Sequence, residues 1–319
     1  MPLQKLQFRP GLNREGTDYS NEGGWYDGDK IRFRSGFPEK IGGWTRLSND
    51  SYLGTARSLW NWVDLSGNDY LGVGTNLKYY IENGGVYNDI TPIITTDSYT
   101  NALSTGFTTL VSSINATANT FTLTNSANFP PQNGIVKIDS EVIFYNTLTG
   151  NVASSCIRGF NNTTAATHTA GANVGSGYFQ FSDFDNDSNN RDFLILSNST
   201  AVGGLTANVI NQEHQVFKYS SGFWYAPALT SSDNNLANIT FTTSLSNGGG
   251  GNNITVDYLV PVGLDVYTLG NGWGAAPWGF YGWGNAAPQT VGTQLRLWSS
   301  DNYGQDLIFA PRGGQIYYW

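Results

Sequence analysis

The chain is expected to be all-β, a partial β-propeller-like platform interrupted by small inserted β domains. Two observations set the class. Runs of β-branched and aromatic residues are broken by Gly, Asn and Asp throughout, and no long segment carries a 3.6-residue apolar period. Aromatics reach 14% while charged residues are only 13%, so there are many rings to bury and few charges to keep wet. A third observation sets the architecture. Gly54-Thr55 and Leu59-Trp60 return as Gly292-Thr293 and Leu297-Trp298. Nineteen residues past each Trp stands a tyrosine pair, Tyr79-Tyr80 and Tyr317-Tyr318. Between them each copy has a polar turn and a short apolar run, Asp69–Val73 or Asp306–Ala310. A recurring unit that buries one aromatic face marks a stacked β architecture such as a propeller. Its expected core residues are Trp60, Tyr79, Trp298 and Tyr317.

Residues 1–50 read as an N-terminal leader or docking segment. Gly23-Gly24-Trp25 and Gly42-Gly43-Trp44 are glycine turns backed by a large ring. Between them Asp29–Gly36 alternates with period two, Ile31 and Phe33 on one face and Lys30, Arg32 and Arg34 on the other. That cationic face is either simply solvated or a docking face, on which Lys30, Arg32, Phe33, Arg34 and Trp44 are the candidates.

Residues 51–103 are the first repeat, closed by Asn88–Pro92, with 93–103 as a linker. Residues 104–175 form an inserted small β domain: strands Thr108–Ile114 and Thr120–Thr124, a turn over Asn128–Gly134, a hairpin Ile135–Ile138 and Val142–Tyr145 across Asp139-Ser140, then strand Ala153–Ile157. Residues 176–262 form a second inserted β domain with strands Asp192–Leu196 and Val216–Tyr219, loops Thr200–Thr206 and Asn211–Gln215, and a return strand Ile254–Val262. Residues 263–319 hold a Gly/Trp-rich loop and the second repeat. Trp273, Trp278 and Trp283 lie five apart among Gly and Pro, a spacing no helix or regular strand accommodates. They are expected to pack on a neighbouring subunit or on one another.

The net charge is −8, unevenly spread. Residues 1–57 hold nine basic and seven acidic residues, and the remaining 262 hold seven and 17. An acidic body argues against tight phosphate binding, which needs clustered Lys and Arg. The single cysteine, Cys156, excludes an internal disulfide. With neither a secretion signal nor an 18-residue apolar run, synthesis in a cytoplasm-like compartment is expected.

The reactive inventory is thin. His168 and His214 are the only histidines, set in loop sequences with no second ligand at metal spacing. Nucleophile elbow, phosphate loop and dinucleotide fingerprint are all absent. Asp183, Asp185 and Asp187 have a spacing that superficially suits Ca²⁺, but lack the glycine and distant glutamate of an EF-hand, and a solvated turn is favoured. Asp64 and Asp69 in the first repeat, like Asp301 and Asp306 in the second, flank the turn and suit capping. No catalytic residue, cofactor or metal is expected.

The opening Pro2–Asn13, Glu22–Trp25 and Asp29–Trp44 resembles the start of the tail nozzle (tail hub) proteins of short-tailed bacteriophages. Gln294–Trp319 is similar to one of their blades, and Thr200–Gln215 to their inserted β domain. Residues 104–175, with Ile138–Tyr145 and Arg158–Thr164, resemble a β module of many phage virion proteins. Members of the family often carry further blades past the position of Trp319. The resemblance implies a ring of six copies below the portal and adaptor of a virion, made in the bacterial host's cytoplasm. That ring continues the DNA channel without sequence-specific binding, holds the tail fibre or tip protein, and does not insert into a membrane. Two other expectations stand beside it: a receptor- or glycan-binding tail protein reading sugars with its rings, and a glycan hydrolase using a carboxylate such as Asp301.

Overall fold

The computed structural model describes residues 9–17, 19–182, 189–219, 224–228, 248–263 and 296–319. The protein is all-β; the one helix among the described residues is α1, a single turn over Ala207–Ile210. The chain divides into two compact units, Met1–Asn49 and Asp50–Trp319.

In the first unit, β1 (Ile31–Arg34) and β2 (Phe37–Lys40) form a hairpin. Its loop is Ser35-Gly36, both at positive φ (51° and 86°), the geometry that matches the twist of a two-residue hairpin. Ile31 and Phe33 are half-buried, while Arg32 and Arg34 are exposed, as period two requires.

The second unit opens with a four-stranded antiparallel blade in sequential order: β3 (Ala56–Val63), β4 (Asp69–Thr75), β5 (Tyr79–Asn83) and β6 (Val86–Asp89). Strand β7 (Ile93–Tyr99) follows, where a linker was expected. It pairs with β18 (Ile254–Leu259), so its partner enters the chain more than 150 residues later. No local pattern announces such a strand.

Next come β8 (Leu103–Thr109), β9 (Thr120–Thr122), β10 (Gln132–Ile138), β11 (Glu141–Thr149), β12 (Val152–Ile157) and β13 (Asn173–Phe181). With β16 (Phe217–Lys218) and β17 (Trp224–Pro227) they build an eight-stranded sheet. The β10–β11 hairpin turns at Asp139-Ser140, with Ile138 opposite Glu141. Position 175 falls inside β13, whose first half pairs with β10 and second half with β17. The sheet therefore runs across the expected boundary between 104–175 and 176–262. Strands β14 (Phe193–Ser197) and β15 (Glu213–Gln215) join β18 and β7 in a four-stranded sheet. Glu213–Gln215 was expected to be loop. Its polar sequence hides a strand that exists because β14 supplies partners.

The second blade, β19 (Trp298–Tyr303), β20 (Asp306–Pro311) and β21 (Tyr317–Tyr318), closes the chain. The two copies differ in their first turn, which spans residues 64–68 in one and only Gly304-Gln305 in the other. Trp60 lies opposite Gly72, and Trp298 opposite Pro311. Aligning Asp69–Val73 with Asp306–Ala310, this pairing has slid by two residues. An even slip keeps every side chain on its original face, so the copies keep their buried rings without sharing a register.

Three cores result. One joins the two blades through Trp62, Tyr79, Ile81, Val260, Trp298, Leu307 and Phe309. A second fills the module around β10–β12, with Val136, Ile138, Ile143 and Tyr145 fully buried. The third packs the β14–β18–β7 sheet against the far half of β13, through Phe179, Phe181, Leu194 and Val256.

The blade seam depends on a missing side chain. A Cβ built on Gly74 would lie 2.5 Å from Trp298 Cδ1, far inside contact distance. Gly74→Ala is expected to destabilise by about 1–3 kcal/mol through overpacking, and Trp298→Ala by about 3–5 kcal/mol through loss of the ring. Urea midpoints of both variants check this; an unchanged midpoint for Trp298→Ala removes the seam as a source of stability.

Candidate assembly surfaces and buried ionic clamps

The aromatic seam is held by polar handles as well as by area. Tyr79 is fully buried and stacks on Phe309 at 4.4 Å between centroids, with Trp298 edge-on at 4.9 Å. The Trp298 Nε1–H donates to the Thr75 carbonyl at 2.7 Å, and Tyr79 Oη and Ser300 Oγ share a hydrogen bond at 2.7 Å. Trp60 Nε1–H donates to Asn302 Oδ1 at 2.6 Å. Buried indoles and phenols need such partners. Trp60 and Tyr317 are half-buried against this core, while Tyr79 and Trp298 are inside it. Sequence reasoning passed over Trp62, which is buried, stacks on Tyr70 at 5.2 Å and donates to the Gln305 carbonyl at 3.1 Å. The signal was available, since Trp60 and Trp62 are two apart in one strand and share a face.

The turn carboxylates divide. Asp64 caps its turn, accepting from the Ser66 and Asn68 amides at 2.8 Å each. Asp301 lies within β19 opposite Ile308 rather than at the turn. Shortening that loop to two residues extended the strand past it. Asp306 accepts from Tyr318 Oη at 2.5 Å.

Two ionic clusters were not anticipated. Lys78 is buried, ion-paired to Asp89 at 2.5 Å and to Glu213, with its ammonium 4.8 Å from the Phe193 ring centre. It ties the first blade to the β14–β15 sheet. In the module, the fully buried Glu141 carboxylate accepts from Arg158 Nε (2.8 Å), Arg158 Nη2 (2.7 Å), the amides of Gly159 (2.9 Å) and Ala166 (3.0 Å), and His168 Nε2 (2.8 Å). His168 Nδ1 lies 2.8 Å from Asp139 Oδ2. His168 is thus buried between two carboxylates, where a polar loop residue was expected. His214, also buried, donates from Nε2 to the Ile210 carbonyl at 2.9 Å and meets Phe179 edge-on; burial lowers its pKa.

The Glu141 carboxylate is a saturated clamp. Every oxygen of Glu141 is taken by a protein donor, which leaves no lone pair aimed at a substrate. Among the described residues no group of three His, Cys, Asp or Glu is placed to hold a metal, and no helix is long and apolar enough to cross a membrane. Asp183, Asp185, Asp187, Trp273, Trp278 and Trp283 lie outside the described residues.

The leader is built differently. Lys30, Arg32 and Arg34 are exposed, with Arg32 paired to Glu39 at 2.5 Å. Phe33 is half-buried beside Trp25 at 6.3 Å. Trp44 is 97% exposed. No known family signature, curated protein or solved structure matches the chain.

Burial raises the Glu141 pKa, but the hydrogen bonds from Arg158, Ala166, Gly159 and His168 outweigh it and hold the carboxyl at about 2, below its ordinary 4.5. A carboxyl with a depressed folded pKa stabilises the fold above its unfolded pKa. Its contribution, on the order of 3 kcal/mol, is lost as pH falls from about 4.5 towards 2. Stability measured between pH 6 and 2 should show that loss, and Glu141→Gln should flatten it while costing about 3–5 kcal/mol at pH 7 by stranding Arg158. Burial also pushes the Cys156 thiol up to about 11, against a smaller pull from Arg158. Alkylation at pH 8 should therefore be slow in the folded protein and fast in urea; equal rates would contradict the burial.

Proposed function

We propose that this protein is a structural component of a short-tailed phage virion: a nozzle ring, expected at six copies, that continues the DNA channel below the portal and adaptor and carries the tail tip. The observation that carries the reading is the pairing of a self-contained two-blade platform with a leader whose rings and cations face outward. The leader motifs Pro2–Asn13 and Asp29–Trp44 point to the nozzle family, and an all-β blade platform with inserted sheets agrees with it. The Glu141 carboxylate, which could have suggested catalysis, is buried with both oxygens held by protein donors. The acidic body suits a passage that must not grip phosphates, because each Lys or Arg contact would have to be released as the duplex slides.

The glycan-reading alternative has one specific support. Trp319 is only partly buried, edge-on to Tyr70 at 5.8 Å and to Trp62 at 6.2 Å, an aromatic rim of the kind that stacks on sugars. It predicts that the isolated chain binds host surface glycans and that Trp319→Ala abolishes binding.

Deleting residues 1–44 should leave a folded body, with its circular dichroism and melting temperature retained, that no longer joins tails in a reconstitution assay. Full incorporation of the truncated chain would refute leader docking. Mass measurement of the purified chain should give a closed ring, and a strictly monomeric chain at all concentrations would refute the nozzle assignment.

A further inference from the structure

We infer that the leader unit, Met1–Asn49, is an exchange arm whose exposed rings are covered by the acidic body, residues 50–319, of a second copy of this chain. The inference rests on the ring-forming reading above and goes beyond it by naming what covers the arm.

The first observation is that the arm has order without a core. Among its described residues no hydrophobic side chain is buried, and Ser48 is the only residue that is. Its apolar seam is thin: Trp25 lies beside Phe33, and Ile31 and Leu12 sit against Gly28. The three cores all belong to the second unit. Ordering each residue costs roughly 1–2 kcal/mol of backbone entropy, and a lone two-stranded hairpin is marginal in water. Local polar contacts such as Arg14 with Asp27 and Arg32 with Glu39 are exposed, and exposed pairs are worth roughly 0–1 kcal/mol each. The described part of the arm therefore has little to hold its shape alone.

The second observation is what it displays. Trp44, Tyr19 and Phe37 are 97%, 95% and 74% exposed, and Leu47 is exposed beside them in sequence. Large rings with neighbouring Arg and Lys are the anchors that interfaces bury. The third is charge. Residues 1–49 hold eight basic and six acidic residues; residues 50–319 hold eight and 18. A cationic arm and an anionic body of the same chain are complementary, and a ring supplies that body from the neighbouring copy. Folding of the arm is then coupled to assembly.

The experiment uses the full chain. A photoreactive residue replaces Trp44, and isotopically heavy and light preparations are mixed and irradiated. The expected products are heavy–light cross-links from position 44 to residues 50–319, falling as NaCl is raised to about 0.5 M. The double variant Phe37→Ser, Trp44→Ser, which alters only exposed side chains, should weaken association at least ~10-fold without changing the melting temperature. Cross-links confined to single copies, or rings that form as tightly in the double variant, overturn the arm while leaving the nozzle reading standing. A chain that is monomeric under every condition overturns both. Cross-linking that appears only when a different acidic virion protein is added overturns the second-copy assignment.

Discussion

The body of this protein depends on one contact, the Trp298 indole laid into the groove that Gly74 leaves open on the first blade. Its Nε1–H reaches the Thr75 carbonyl, 223 residues earlier in the chain. Around it Tyr79 and Phe309 stack, and Ser300 and Asn302 cap the Tyr79 and Trp60 polar atoms. A blade buries only one face by itself, so each copy of the repeat needs the other. The guest segments between them must bring both ends of the chain back together. Long-range closure costs only a slowly growing entropy, which is why so much chain can be inserted without breaking the platform.

Charges inside the body serve as clamps between sheets. Lys78 joins the first blade to the β14–β15 sheet through Glu213, and Glu141 with Arg158 and His168 fixes the loop that closes the small module. Each is a buried charge, and each is surrounded by enough donors or acceptors to offset desolvation. In a chain with 13% charged residues, one such cluster joins two sheets and the other fixes a loop of the module.

The leader follows the opposite logic. Among its described residues no hydrophobic side chain is buried, while Tyr19, Phe37 and Trp44 are exposed, the reverse of the body with its buried cores.

Periodicity two was legible wherever strands were long and half-buried: Ile31 and Phe33 against Arg32 and Arg34, the Asp139-Ser140 hairpin, and the blade strands Asp69–Val73 and Asp306–Ala310 all follow from local pattern and turn chemistry. The sequence by itself also determined the all-β class, because it offers no 3.6-residue period for a helix to use. Tertiary structure alone decided that Ile93–Tyr99 and Glu213–Gln215 are strands, that Lys78 and Glu141 sit in the interior, and that His168 lies between two carboxylates. Each of these depends on a partner far away in sequence. A polar residue's fate inside a fold is set by which donors and acceptors surround it, and that neighbourhood exists only once the sheets have met.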